Sequence, residues 1–188
     1  MRKIILSIQT SLDGFVEAEN GDMSWIDTDD ASEWDDVFET LANVDTAILG
    51  AGMFEGYRDY WRNCLTSDKC SANERKYAQW AEKTPHFLVS RKIKDPKWEN
   101  TTIISGPVVD EIRKLKAAAG GDIYVVGGAT MARTVIDAGL VDEYRITVNP
   151  YIAKGGKSLY QPLKNDRKLT LIGAKTIGGT VVLKYRNR

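Results

Sequence analysis

Four apolar runs in this chain end on residues suited to holding phosphate. Gly50 follows Ile48-Leu49, Ser90-Arg91 follow His86–Val89, Ser105-Gly106 follow Thr101–Ile104, and Gly127-Gly128 follow Ile123–Val126. Glycine lets a ligand approach the backbone closely. A helix starting after it presents free N–H groups, and serine and arginine add hydrogen bonds, charge-assisted for arginine. Beyond Gly128, the amides of Ala129, Thr130 and Met131 are the first such donors. Singly, these endings are also what tight strand-to-helix turns use for steric reasons. Together, at the carboxyl end of one sheet, they describe a dinucleotide groove. Val126–Met131 lacks the G-x-G-x-x-G spacing, and no acid stands at the distance a ribose diol requires. Arg91 points instead to a phosphorylated ribose, so NADPH is the expected cofactor.

A second set of residues could act on a flat ring. Asp13, Asp27 and Asp30 flank Trp25 and lie close in sequence to Trp34 and Phe38. A carboxylate can hold an amine or stabilise a protonated imine, while an aromatic face stacks on a heterocycle. Asp13 and Asp27 are the expected catalytic acids, Asp13 first because a strand end holds a group rigidly. Trp25, Asp30, Trp34, Phe38 and Phe54 are the expected substrate-pocket residues. Each has a plainer reading. Asp13-Gly14 is also an ordinary turn pair, and an acidic run before a helix also suits the macrodipole. The helical spacing of Trp34 and Phe38 favours core packing. Phe54, Tyr57, Tyr60 and Trp61 would equally make a dimer surface. The single histidine, His86, is expected to be structural. Cys64 and Cys70 have no further cysteine to complete a metal-site spacing and read as free thiols of a reducing cytosol.

The elements that position these residues alternate. Residues 2–9, Asp45–Leu49, His86–Val89, Thr101–Ile104, Ile123–Val126 and Glu143–Val148 read as strands. Helices are expected from Ser32, from the capping box Ser71-Ala-Asn-Glu74, after Pro107 to an αL cap at Gly120-Gly121, and from Ala129 to Gly139. Two further strands meet at Gly178-Gly179 as an antiparallel hairpin. The pattern predicts one α/β domain over residues 1–188, three-layered, with a mostly parallel central sheet and an antiparallel C-terminal hairpin. Residues 57–70 fit no element.

With 188 residues, one core suffices. Lys plus Arg (26) equals Asp plus Glu (26), so there is no basic excess to recruit nucleic acid or an anionic membrane. The apolar run at the N-terminus stops at Ile8 without a cleavage site, and no stretch is long enough to span a bilayer. The expectation is a cytoplasmic protein with a small-molecule substrate, homodimeric because the C-terminal strands leave an edge to cover.

In order along the chain, Ser11-Leu-Asp-Gly-Phe15, Ile48-Leu-Gly50, Val89-Ser-Arg91, Ile123-Tyr-Val-Val-Gly-Gly128 and Ala138-Gly-Leu-Val-Asp-Glu143 resemble the reductase domain of bacterial riboflavin biosynthesis. More distantly they resemble dihydrofolate reductase. The resemblance implies NADPH across the strand ends, hydride transfer to a ring or imine, and a cis Gly127–Gly128 peptide. The chain departs from dihydrofolate reductases after Gly50, where Ala51-Gly52 replace the expected basic residue. The run Asp27–Asp30 followed by Glu33 does not align uniquely with their single acid. The expected activity is therefore NADPH-dependent reduction of a pterin, an aminopyrimidine or a related imine. The alternative is a non-catalytic NADP-binding domain of the same fold.

Overall fold

The computed structural model describes residues 1–26 and 31–188, so Asp27 and Asp30 lie outside the described residues. An eight-stranded sheet runs β5-β4-β3-β6-β1-β7-β10-β9. Its members are β1 (Ile4–Ser11), β3 (Val44–Gly50), β4 (His86–Val89), β5 (Thr101–Ile104), β6 (Asp122–Gly127), β7 (Glu143–Asn149), β9 (Leu169–Ile177) and β10 (Thr180–Asn187). The first six strands of that spatial order through β7 are mutually parallel. The hairpin of β9 and β10 then adds antiparallel to β7, as expected. A small second sheet pairs β2 (Phe15–Glu17) with β8 (Lys157–Ser158).

Side-chain alternation along the central strands sorts two cores. Ile48, Ile123 and Val125 face one way, against α4 (Val108–Ala117) and α5 (Ala129–Asp137). Leu49 and Tyr124 face the other way, against α1 (Ala31–Leu41), α2 (Ala51–Cys64) and α3 (Ala72–Lys83). Period-2 patterning thus produces the three layers. The second core is unusually aromatic. Tyr57, Trp61, Tyr77, Trp80 and Trp98 pack there at ring spacings of 4.3 to 6.5 Å, with Phe54 wholly buried beneath.

Several expectations are corrected. Residues 51–64 form one continuous helix, although Gly52 and Gly56 weaken its intrinsic propensity; burial of Phe54 and Tyr57 supplies what propensity does not. Cys64 and Cys70 are joined by a disulfide rather than free, because the chain turns back after α2 and brings their Cα atoms to 5.5 Å. Gly120-Gly121 is not a helix cap. The helix ends at Ala117, and the glycines lie where a Cβ would strike Asp45 Oδ2 at 2.8 Å or the Asn43 carbonyl at 2.4 Å. The Gly127–Gly128 peptide is trans, and the chain turns there through positive φ at both glycines, +142° and +87°; the cis bond among the described residues is Gln161–Pro162. The Ser71–Glu74 capping box forms as expected.

Candidate active site

Strand β3 ends at Gly50 and its neighbour β6 at Gly127, each followed at once by a helix. Gly50 caps α2 and Gly128 caps α5, neither with a side-chain hydrogen bond. Both helix starts therefore keep their first amides, Ala51 to Met53 and Ala129 to Met131, available to an anion. A register shift in the β3–β6 pairing sets Leu49 opposite Gly127 and draws the two glycine turns level.

A cavity of about 610 Å³ opens over these helix starts. Gly50, Gly128, Ala129, Thr130 and Met131 form its floor, and Ser90, Arg91 and Ser105 its far wall. The Ser90 hydroxyl is buried and accepts from the Lys92 and Ile93 amides at 3.2 and 2.9 Å, fixing the turn that carries Arg91. The Arg91 and Lys92 side chains make no ion pair or hydrogen bond among the described residues, and both line the cavity. Uncapped amides at one end and two cations at the other fit the pyrophosphate and ribose phosphate of NADPH. The volume lies within the range for cofactor sites.

A second cavity of about 380 Å³ continues from the first, sharing Glu17, Met53, Gly128 and Ala129 with it. Gly127 lines this cavity and not the first. Its aromatic wall is Tyr57, Trp61, Tyr77 and Tyr124. Burial pushes the phenols of Tyr57, Tyr77 and Tyr124 above their ordinary range, so all three are neutral donors. Two acids of α1 project into it. Glu33 accepts a hydrogen bond from Thr180 Oγ1 at 3.1 Å. Asp36 is buried and held by Lys184 Nζ at 2.7 Å and Arg145 at 3.8 Å.

The expected substrate residues are placed differently. Asp13 lines neither cavity; its carboxylate accepts from Ser11 Oγ at 2.7 Å and from the Ala153 and Lys154 amides at 3.0 Å each. Those bonds, the Ala153 amide first, hold it below the usual carboxylate range. It thereby ties the end of β1 to the segment after β7. Trp25 stacks on Tyr151 at 5.6 Å, outside both cavities. Phe54 is fully buried and Phe38 packs against the second core under Lys76 Nζ at 3.8 Å, and neither lines either cavity. Trp34 lines a side pocket that adjoins the second cavity through Glu33 and Trp61. Sequence reasoning missed Tyr57, Trp61, Tyr77 and Tyr124 as one wall, because they come from three separate elements. The helical spacing of Glu33 and Asp36 could have drawn attention to them.

The RibD C-terminal domain family matches residues 2–183. The uncharacterised protein YyaP of Bacillus subtilis is 30% identical over 96% of this chain and 92% of its own length. Among solved structures, the deaminase/5-amino-6-(5-phosphoribosylamino)uracil reductase of Thermotoga maritima superposes with a TM-score of 0.71 at 16% identity, over 100% of this chain and 57% of that one. Enterococcus faecalis dihydrofolate reductase, complexed with NADP(H) and RAB-propyl, superposes with a TM-score of 0.64 at 14% identity, over 99% and 96%. At such identities these two likenesses speak for the fold.

Proposed function

The chain belongs to the RibD C-terminal domain family, and from that premise we propose that it is an NADPH-dependent reductase of a pterin, an aminopyrimidine or a related imine-bearing heterocycle. The observation that carries this reading is the junction of the two cavities. Gly128 and Ala129 belong to both, so a dinucleotide lying over the helix starts has its reactive end at the mouth of the aromatic cavity. NADPH, when bound, supplies a hydride. The chain's own residues do the rest. Arg91 and Lys92 hold the ribose phosphate, and the α2 and α5 amides hold the pyrophosphate. Tyr57, Trp61, Tyr77 and Tyr124 stack on the ring and exclude water. Glu33 takes the place expected for Asp13 or Asp27, holding the edge of the ring where an imine nitrogen must carry a proton. His86 is buried and lines neither cavity, and in this reading it has a structural role.

The setting we propose is cytoplasmic, with a small-molecule substrate and no nucleic-acid or membrane partner. Among the described residues no helix is long and apolar enough to cross a membrane. We place a homodimer contact on β9, an edge strand exposing Leu171 and Ile172, since a second copy can pair antiparallel with the same free edge.

Trp61 lines the ring cavity, so its fluorescence reports binding there. The test is titration with NADPH, then NADPH consumption against dihydropterins and aminopyrimidine ribosides. Turnover of any member supports the reductase. NADPH binding without turnover supports the non-catalytic NADP-binding domain, and no binding overturns both.

A further inference from the structure

Strand β1 carries a polar side chain on the ring cavity whose hydrogen-bonding sense is fixed from behind. Ser7 and Gln9 alternate onto the same face of β1, and Gln9 stands in register with Thr147 of β7. All three line the ring cavity. Two residues further along β7, Asn149 is buried. Its Nδ2 donates to the Thr10 carbonyl at 3.2 Å and to Gln9 Oε1 at 3.1 Å. A carbonyl only accepts, so Thr10 compels the nitrogen of Asn149 to this side. Turning the Asn149 amide over would set Oδ1 against that carbonyl. The Asn149 donor in turn compels Gln9 to present its oxygen to Asn149. Gln9 Nε2 is left with its N–H donors and no hydrogen bond among the described residues, at a half-buried position on the cavity wall.

Resting on the reductase reading above, we infer that Gln9 determines specificity: its amide donates to an acceptor on the substrate ring, an oxo group or an unprotonated ring nitrogen, and Asn149 is its positioning residue. The aromatic wall of Tyr57, Trp61, Tyr77 and Tyr124 sets the plane of a stacked ring but not its rotation within that plane. A donor of fixed sense at the ring's edge sets the rotation, and with it the ring atom that stands towards the cofactor. A ring offering an amino group there sets donor against donor. It strands the Gln9 amide in a cavity walled by aromatic faces, and an unmet polar group costs more there than in water.

The test is calorimetric titration of the full chain, with and without NADP⁺, using isocytosine and 2,4-diaminopyrimidine at a pH where both rings are neutral. Both carry a 2-amino group; at C4 the first has an oxo acceptor and the second an amino donor. Isocytosine should bind more tightly by about tenfold, the scale for meeting one donor instead of stranding it. Gln9→Met, similar in length but without the amide, should abolish that preference. Gln9→Glu, which turns an acceptor to the cavity, should reverse it. Asn149→Ala should narrow the preference when Gln9 is present and leave the ratio unchanged in a Gln9→Met background. A merely structural loss would instead weaken both rings alike in both backgrounds. Equal binding of the two rings, failure of both to bind, or an undiminished preference in Gln9→Met overturns the inference. Failure of NADP⁺ to bind overturns the reductase reading instead, and the ring titrations without cofactor still report on Gln9.

Discussion

A Cβ placed on Gly128 would stand 3.9 Å from the Gly50 amide nitrogen, and one on Gly50 would stand 3.4 Å from Met131 Cβ. Two glycines 78 positions apart in the chain thus abut, and with them the uncapped starts of α2 and α5. Under the proposed reading, a phosphate held by both helices needs both positions free of a side chain.

Gly50→Ala isolates this effect, because φ at Gly50 is −90° and any residue adopts it. Stability should change by less than about 1 kcal/mol. NADPH affinity should fall by about tenfold, equivalent to about 1.4 kcal/mol. Gly128→Ala should lose affinity as well and also about 1–2 kcal/mol of stability, since its φ is +87°. Fluorescence titration beside urea unfolding separates the two, and normal binding by Gly50→Ala would remove the pyrophosphate from this position.

Arg91→Ala should abolish most of the preference for NADPH over NADH. That preference is expected at about 1.5–3 kcal/mol, the scale of hydrogen bonds to charged groups. Paired titrations of the two cofactors measure it. Equal affinities in the unaltered protein would show that no 2′-phosphate meets Arg91.

Glu33→Gln should lower turnover by about 10²–10³, the scale for one preorganised group at a developing charge, with NADPH affinity unchanged. Asp13→Asn should do the reverse, leaving turnover near normal and lowering thermal stability. The Asp13 carboxylate is held below its ordinary range, first by the Ala153 amide and then by Ser11 and Lys154. Its stabilisation is therefore complete above the unfolded carboxylate pKa and is lost as pH falls through the folded one. Steady-state kinetics and melting curves of both variants decide which acid faces the substrate.

His86 is buried, with Nδ1 2.7 Å from the Thr84 carbonyl, and burial pushes its pKa down to about 4. The unfolded chain takes up the proton near the ordinary histidine value, 6.5, and the folded one only near 4. Stability should accordingly fall as pH drops through that window, by up to about 3 kcal/mol. Urea midpoints between pH 7 and pH 4 should show this decline, and His86→Gln should flatten it.

Leu171→Lys with Ile172→Lys should leave NADPH binding intact and shift sedimentation towards monomer, because both side chains lie exposed on the β9 edge. A monomeric unaltered protein at micromolar concentration would rule out the β9 dimer.

The strands and the gathering of their glycine, serine and arginine ends around one cavity were legible in the sequence. His86–Val89 and Thr101–Ile104 form where apolar runs meet turn residues, and Ser71–Glu74 caps α3, because these signals are local. Gly50, Arg91 and Gly128 share a cavity because parallel strands place all their carboxyl ends on one side. The ring pocket was not legible. Its acid Glu33 is bonded to Thr180, 147 residues away, and its wall draws Tyr57 from α2, Tyr77 from α3 and Tyr124 from β6. Asp13 has the residue type and strand-end position of a catalytic group, yet it lines neither cavity and accepts from the amides of Ala153 and Lys154. Side-chain type and local spacing decide which element forms. Which side chain keeps its lone pairs for a ligand depends on partners brought in from distant elements, and only the packed tertiary structure decides that.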